Sequence, residues 1–386
     1  MKKSVAMFLI VIIFALFTSG CAQESSGPAA PAQAAAETTE VTEPEAPTET
    51  PDTTAPDALE ETADDTEPDT SDDSEVAEPT ERIVTDQLGR DVIIPETVSS
   101  VAVSHGPMLS TLVALGGGDL VVGTGSKPSG RTIYEEVAPN VLEAPQIGQQ
   151  GDINLEELAN ILPDLFVLSV RHQEILPDLE MLGITGVAID PEDFETIITS
   201  MRIVGSAIHN EEHVENIISL FEERLAWTRE RISQAENNPT AIVVGRGTSE
   251  VVASGMIQAE IIEIAGAINL AADIEGSSHV DVGPEQILEW NPEYIIISAW
   301  GPLQPEDFFN DPMYEDVAAV INGNVFKFPS DADWWDTPSP ATVLGTVWAS
   351  NVFHPDLVTD EELDNAVEEF YYLLHGIPLG REYFRY

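Results

Sequence analysis

Short apolar runs alternate with stretches of helical periodicity along the chain after residue 82. Apolar runs without alternation are typical of strands buried on both faces of a parallel sheet. They predict strands at residues 101–104, 120–122, 165–170, 187–189, 241–244, 294–298 and 325–328. Apolar positions three and four residues apart predict helices at 108–115, 155–161, 258–265 and 285–290. The order of these elements predicts two α/β blocks, each with a mostly parallel sheet.

A long segment of helical periodicity, residues 193–236, separates the two blocks and contains no proline. At about 1.5 Å per residue it would span tens of ångströms. Gly205 and the polar residues 210–212 are points at which it can be interrupted, so one helix or two remain open. An ordinary crossover helix is the alternative. The length of the segment and its place between two similar blocks favour a rigid bridge between two lobes.

A weak internal repeat relates residues 154–168 to residues 283–297. Each stretch has an amphipathic helix, then a proline followed by an acidic residue, then an apolar strand. The repeat predicts two lobes of related design with a cleft between them.

The N-terminus has the pattern of a bacterial lipoprotein signal peptide. Lys2 and Lys3 precede an apolar run at 5–17, and small residues precede Cys21. This run is shorter than the roughly 20 residues that cross a bilayer. We therefore expect residues 1–20 to be a signal peptide and Cys21 to be lipidated, although Thr18 stands where leucine is usual. A non-lipidated signal peptide with an incidental cysteine is the alternative.

Residues 21–81 form a segment rich in Ala, Pro, Thr, Ser and acidic residues, without a basic or aromatic residue before position 82. Such a composition cannot bury enough apolar surface to offset the entropy of ordering. We expect a disordered acidic tether that holds the folded part, as a monomer, at the extracytoplasmic face of the cell membrane.

The charge and cysteine content exclude several classes of function. The net charge is −54, from 15 basic and 69 acidic residues, which argues against nucleic acid as a partner. A single cysteine excludes an internal disulfide and a cysteine-based metal cluster. The sequence has no P-loop, GxSxG or HExxH motif, so we expect neither an enzyme nor a bound cofactor.

Several motifs, in order, are similar to those of one transport family. They are Thr-Asp-Gln-Leu-Gly-Arg-Asp at 85–91, Ala-Leu-Gly-Gly-Gly-Asp at 114–119, the two repeated units, Ala-Gly-Ala-Ile-Asn at 265–269, and Trp-Asp-Thr-Pro-Ser-Pro at 335–340. Residues 83–355 thereby resemble the substrate-binding proteins of iron–siderophore, haem and cobalamin ABC importers. The resemblance implies two Rossmann-like α/β lobes, here 82–192 and 237–386 with a C-terminal helix, bridged by a single long helix, with a ligand cleft between them.

The same resemblance implies docking of one glutamate from each lobe onto arginines of the membrane permease. Glu285 matches the second-lobe glutamate, because it begins the helix of the second repeated unit. Alignment on Ala114-Leu-Gly116 places Ser110, not a glutamate, at the first-lobe position. An acid near a helix N-terminus that stabilises its own helix is the alternative for Glu285.

Ligands of α/β sheets collect at the carboxyl ends of the strands, so residues that follow strands are candidates for the cleft. These candidates are His105, Arg171, His172, Arg246, His279, Trp300, Trp334 and Trp335. Arginines suit anionic oxygen groups, and tryptophans suit planar ligands. The arginines can instead pair with structural carboxylates, and of the two adjacent tryptophans one should pack and one should face the ligand.

These residues predict a receptor that delivers a metal chelate to an ABC importer. A ferric siderophore is the leading ligand, with haem or a corrinoid next. A receptor for a free metal ion, bound directly by the cleft histidines, is one alternative, although the His-rich acidic loop usual in zinc receptors is absent. A surface interaction lipoprotein is the alternative from another class.

Overall fold

The computed structural model describes residues 82–128, 131–149, 152–381 and 383–384. The predicted signal peptide, Cys21 and the acidic tether lie outside the described residues. Within them, no helix has both the length and the apolar composition needed to cross a bilayer.

The strands and helices of the described residues alternate along most of the chain. The strands are β1 (Arg82–Thr85), β2 (Asp91–Ile94), β3 (Val101–Val103), β4 (Val121–Thr124), β5 (Gly148–Gln149), β6 (Asp152–Ile153), β7 (Leu165–Ser169), β8 (Thr185–Ile189), β9 (Thr240–Val244), β10 (Glu250–Val252), β11 (Ile268–Asn269), β12 (His279–Asp281), β13 (Tyr294–Ile297) and β14 (Val325–Lys327). The helices are α1 (Gly106–Leu112), α2 (Ile133–Val137), α3 (Asn140–Glu143), α4 (Leu155–Ile161), α5 (Leu176–Leu182), α6 (Phe194–Ala207), α7 (Glu211–Ile232), α8 (Ile257–Ile264), α9 (Pro284–Trp290), α10 (Pro305–Phe309), α11 (Ala318–Asn322), α12 (Thr342–Phe353) and α13 (Asp360–His375). A π-helical turn, Val113–Gly117, continues α1.

The sheet of the first lobe has the strand order β4-β3-β7-β8, and all its pairs are parallel. Alternate residues of β7 enter different cores: Leu165 and Val167 pack in one cluster, Phe166 and Leu168 in another. The sheet is therefore covered on both faces, which is why its strands are recognisable as continuous apolar runs.

The sheet of the second lobe has the order β12-β10-β9-β13-β14, and β11 also pairs with β9. Strands β9, β13 and β14 are parallel, as the apolar runs predict. Strands β10 and β12 were not predicted; they pair antiparallel at the edge. At three residues each, they are too short to show a pattern in the sequence.

The segment between the lobes is divided into two helices, α6 and α7. The break falls at Ile208–Asn210, where His209 takes a left-handed conformation (φ 60°) and Asn210 donates through Nδ2 to the Leu115 carbonyl at 2.8 Å. Helix α6 packs on the first lobe, against β1, β8 and α1. Helix α7, of 22 residues and about 33 Å, contacts the first-lobe π-helical turn and the second-lobe helices α8, α12 and α13. It is the single long helix that bridges the lobes.

The internal repeat of the sequence appears in the fold as two equivalent units, α4–β7 and α9–β13. Both helices have seven residues and end in a left-handed non-glycine residue, Leu162 or Asn291. After the proline, Asp164 accepts hydrogen bonds from the Ser99 and Ser100 amides, while Glu293 accepts one from the Thr240 amide at 2.8 Å. Each acid thereby fixes the start of the neighbouring parallel strand, so both lobes use the same local device.

Candidate functional site

A cavity of about 610 Å³ lies between the two lobes, at the carboxyl ends of the strands. Its lining comprises His105, Gly106, Pro107, Leu109, Ser126, Lys127, Pro128, Arg131, Tyr134 and Arg171 from the first lobe, and Met256, His279, Trp300, Trp334 and Thr337 from the second. This volume lies within the range of about 300–1,000 Å³ that is usual for small-molecule sites.

Five of the eight residues predicted for the cleft line this cavity: His105, Arg171, His279, Trp300 and Trp334. Trp335 does not, and its prediction as a ligand contact is wrong. Its side chain is fully buried, its Nε1 donates to the Tyr371 hydroxyl at 2.9 Å, and its ring packs on Phe384. Of the two adjacent tryptophans, Trp334 therefore faces the cleft and Trp335 packs in the core.

Two other predicted residues lie just behind the cavity wall. His172 is buried, with its ring edge-on to that of His105 at 6.3 Å between centroids. Arg246 is exposed, and its guanidinium carbon lies 4.4 Å from the centre of the Trp300 ring. His172 packs against His105 and Arg246 packs against Trp300, and neither residue lines the cavity itself.

The first-lobe imidazole, His105, is held by a hydrogen bond between its Nδ1 and Ser104 Oγ at 2.9 Å. Because Ser104 Oγ accepts from the Ser169 amide, its own hydrogen can be donated to Nδ1, which favours the tautomer protonated at Nε2. Burial, followed by the charges of His172 and Arg171, lowers the pKa of His105 to about 4. The ring is thus neutral at physiological pH.

The second-lobe wall is built around Trp300, whose ring is edge-on to that of His279 at 5.2 Å. Lys327 fixes this loop because its Nζ donates to the carbonyls of Gly301 and Leu303, at 2.8 and 3.1 Å. Burial lowers the pKa of His279, and Nε2 of this residue has no hydrogen-bond partner among the described residues.

The electrostatic character of the lining is opposite to that of the chain. Although the chain has 69 acidic residues against 15 basic ones, the described residues that line the cavity include Lys127, Arg131 and Arg171 and no carboxylate. The Arg171 guanidinium is exposed and forms a 2.8 Å ion pair with Glu192, outside the cavity. The lining is suited to an anionic ligand.

Lys127, Arg131 and Tyr134 line the cavity and were not among the predicted residues. They follow β4, so the strand-end argument applies to them as well. They were missed because they lie in a longer loop, several residues beyond the strand, whereas the prediction took residues that follow strands directly. Arg131 is 6% exposed, in contrast to the exposed Lys127 and Arg171.

The described residues contain no group of three or more His, Cys, Asp or Glu side chains arranged to hold a metal ion. His105 and His279 stand on opposite lobes of the cavity, and His172 is buried behind the first. The free-ion alternative therefore lacks a ligand cluster in the described part of the chain.

Ser110 does not occupy a surface position. It is 6% exposed, and its hydroxyl lies 3.0 Å from that of Tyr134, so it cannot be the first-lobe docking position. The repeated units supply a different equivalence: Glu156 and Glu285 are each the second residue of a seven-residue helix, and both are exposed. Glu156 is thus the first-lobe counterpart of Glu285.

Comparisons with known proteins agree with this architecture. A family model described as periplasmic binding protein matches residues 101–332. The molybdate-binding protein MolA of Haemophilus influenzae is 27% identical over 75% of this chain and 90% of its own length. A vitamin B12-binding protein of Vibrio cholerae is 24% identical over 57% of this chain and 79% of its own. The crystal structure of a periplasmic solute binding protein from Veillonella parvula superimposes with a TM-score of 0.70 at 26% identity, covering 78% of this chain and 96% of that one.

Proposed function

Because the chain belongs to the periplasmic binding protein family, whose members are solute receptors of ABC importers, we propose that its cargo is an anionic metal chelate. A ferric siderophore with anionic donor groups is the leading candidate, and haem is next; a corrinoid of the cobalamin type, which has no net negative charge, is the least favoured by this lining. One observation carries the proposal: the cavity is lined by three cations and no carboxylate among the described residues, in a chain of net charge −54. A positive cleft in a negative protein attracts anions to one place.

The shape and the aromatic groups of the cleft support a chelate of moderate size. Trp300 and Trp334 offer flat faces from the second lobe, and His105 adds a neutral imidazole from the first. A tetrahedral oxyanion displaces only a few water molecules of about 30 Å³ each, a small part of the 610 Å³ available. A chelate would contact both lobes without a large closure.

A metal oxyanion is the second candidate. It is favoured by the 27% identity to a protein named as molybdate-binding. The same cations would serve it, but closure of the lobes would have to remove most of the open volume. Titration of tryptophan fluorescence with ferric catecholate, ferric hydroxamate, haem, cobalamin and molybdate separates the candidates. Micromolar or tighter binding of the ferric catecholate or of haem supports the first, and binding of molybdate alone replaces it with the second. Binding of only the neutral hydroxamate or of cobalamin would overturn the anionic cargo.

The proposed docking face uses the two equivalent acids. Glu156 and Glu285 are exposed at the first turns of α4 and α9, one on each lobe, where carboxylates can meet permease arginines. The repeated design of these units supports a two-point contact. With Ser110 at the first-lobe position, only Glu285 of the second lobe was left to contact the permease.

The anchor remains a proposal from the sequence, since Cys21 lies outside the described residues. A lipidated Cys21 with the tether at 22–81 would hold the receptor beside its importer. Metabolic labelling with a fatty-acid analogue tests it. The wild-type chain should take up the label and stay with the membrane fraction, and C21S should do neither, because Cys21 is the one cysteine in the sequence.

A further inference from the structure

The most deeply buried cation of the cavity lining is Arg131. Its guanidinium carbon lies 4.1 Å from the centre of the Trp334 ring, which belongs to the other lobe. Its Nη1 donates to the Tyr134 hydroxyl at 3.2 Å and to Ser110 Oγ. These contacts fix the group at one place on the cleft floor.

The second lobe contributes to this position through a buried carboxylate, Asp333. Its two oxygens accept from the Trp334 amide at 2.9 Å and from the Tyr371 hydroxyl at 3.2 Å. Burial disfavours the charge of Arg131, but the Tyr134 oxygen and the Asp333 carboxylate outweigh it, so the pKa of Arg131 is raised. The guanidinium is therefore a permanent positive charge held across the lobe boundary.

The backbone closes the same boundary. The amides of Thr132 and Ile133 donate to the carbonyls of Asp331 and Ala332, at 3.2 and 3.1 Å. The floor is thus a joint of the two lobes, and a ligand that reaches it contacts both lobes.

One edge of the Arg131 guanidinium has no acceptor among the described residues. The group has five N–H donors, and both of its hydrogen bonds to described residues leave from Nη1. Gly106, which lines the cavity, is the neighbour of Nη2: a Cβ on Gly106 would lie 3.9 Å from it. An anionic oxygen in the cavity can accept charge-assisted hydrogen bonds from this edge of the guanidinium.

We propose that Arg131 forms an anion subsite on the floor of the cleft, which binds a negatively charged oxygen group of the ligand and selects anionic over neutral chelates. The subsite rests on the proposed receptor function. The feature of the cargo that Arg131 recognises is a catecholate, carboxylate or oxo group that reaches the junction of the lobes.

The test compares two ferric chelates that differ in charge. Wild type, R131Q and the control R202Q, an exposed arginine paired with Glu215, are titrated with an anionic ferric catecholate and a neutral ferric hydroxamate. Removing one partner of a buried charge contact should weaken the catecholate at least about 30-fold in R131Q. The hydroxamate should change by less than about threefold, and R202Q should match wild type with both.

Equal losses for the two chelates, or no loss for either, overturn the subsite. If R131Q does not fold, R131K keeps the charge opposite Asp333 but loses the planar fork, and a selective loss for the catecholate is then the expected result. Titration of the same variants with molybdate tests the subsite without a chelate. If wild type binds molybdate and R131Q does not, the subsite stands even where both chelates fail and the proposed cargo is wrong. If wild type binds none of the anionic ligands, the subsite is wrong as well.

Discussion

The α-carbon of Gly245 lies against the imidazole of His279, so closely that a Cβ on Gly245 would come within 2.3 Å of Cδ2. Gly245 follows β9, and His279 begins the edge strand β12. The absence of a side chain at one strand end therefore sets the position of an imidazole that lines the cleft.

We expect Gly245→Ala to lower ligand affinity by about tenfold while the protein stays folded. The added methyl group must displace the His279 ring, which in turn contacts Trp300 at 5.2 Å. Overpacking a site costs about 1–3 kcal/mol of free energy, and part of this cost appears as weaker ligand binding. Calorimetric titration measures the affinity. Gly247→Ala is the control in the same loop, because its Cβ would meet only Glu250 Cβ at 3.7 Å. Equal affinities for the two variants would refute the role of the Gly245 contact.

The two adjacent tryptophans should respond in opposite ways to the same substitution. Trp335→Leu removes a fully buried ring and its hydrogen bond to Tyr371, so the free energy of unfolding should fall by about 3 kcal/mol. Trp334→Leu removes a half-buried ring from the cavity lining. It should reduce the quenching of fluorescence by ligand and weaken binding, with a stability loss below about 1 kcal/mol. Urea unfolding and fluorescence titration of both variants distinguish the roles, and the reverse pattern would exchange them.

Asp336 should make stability depend on pH in a direction that is unusual for a carboxylate. Burial raises the pKa of its carboxyl group from 3.8 to about 6, against a hydrogen bond from the Ala299 amide at 3.0 Å. The folded protein thus binds a proton that the unfolded chain releases between pH 4 and 6. This contribution to stability is present below about pH 4 and is lost as the pH rises through 6.

Asp336→Asn removes that titration. Relative to wild type, the variant should gain up to about 3 kcal/mol in the free energy of unfolding between pH 4 and pH 8. Urea unfolding at the two pH values measures the difference, and Asp316→Asn, at an exposed aspartate, is the control. A difference between variant and wild type that does not change with pH would show that Asp336 titrates near its ordinary value.

The sequence predicts the sheets and much of the cleft because both depend on local patterns. The central strands of each lobe are apolar runs, and five of eight predicted cleft residues line the cavity. Four of them follow strands whose carboxyl ends meet at one edge, whereas His279 begins the edge strand β12. The family is confirmed by the match over residues 101–332, a range that includes the motifs at 114–119 and 265–269 and both repeated units. Two adjacent loop residues, Trp334 and Trp335, have no periodicity that tells inside from outside. Arg131 lies on the floor against Trp334 of the other lobe and close to the charge of Asp333, a tertiary arrangement that has no signature in the sequence.

The position proposed for a first-lobe docking acid shows the same limit. The short Ala-Leu-Gly motif placed it at Ser110, within a helix whose residues 108–112 are all buried. The repeated helix–proline–acid–strand units are a better guide, because they form equivalent structures in both lobes. They place Glu156 where the second lobe has Glu285.

We therefore expect Glu156→Gln combined with Glu285→Gln to reduce ligand uptake in cells or permease-containing vesicles at least about tenfold, without a change in ligand affinity. Loss of two charge-assisted contacts with permease arginines would weaken docking, whereas both acids lie outside the cavity lining. Glu157→Gln with Glu289→Gln is the matched control, since these acids are exposed on the same two helices. Uptake assays and ligand titration of both pairs provide the measurement. Normal uptake by the first pair, or equal losses in the two pairs, would exclude these glutamates as the docking points. If the single variant Glu285→Gln loses uptake and the single variant Glu156→Gln does not, only the second-lobe contact stands.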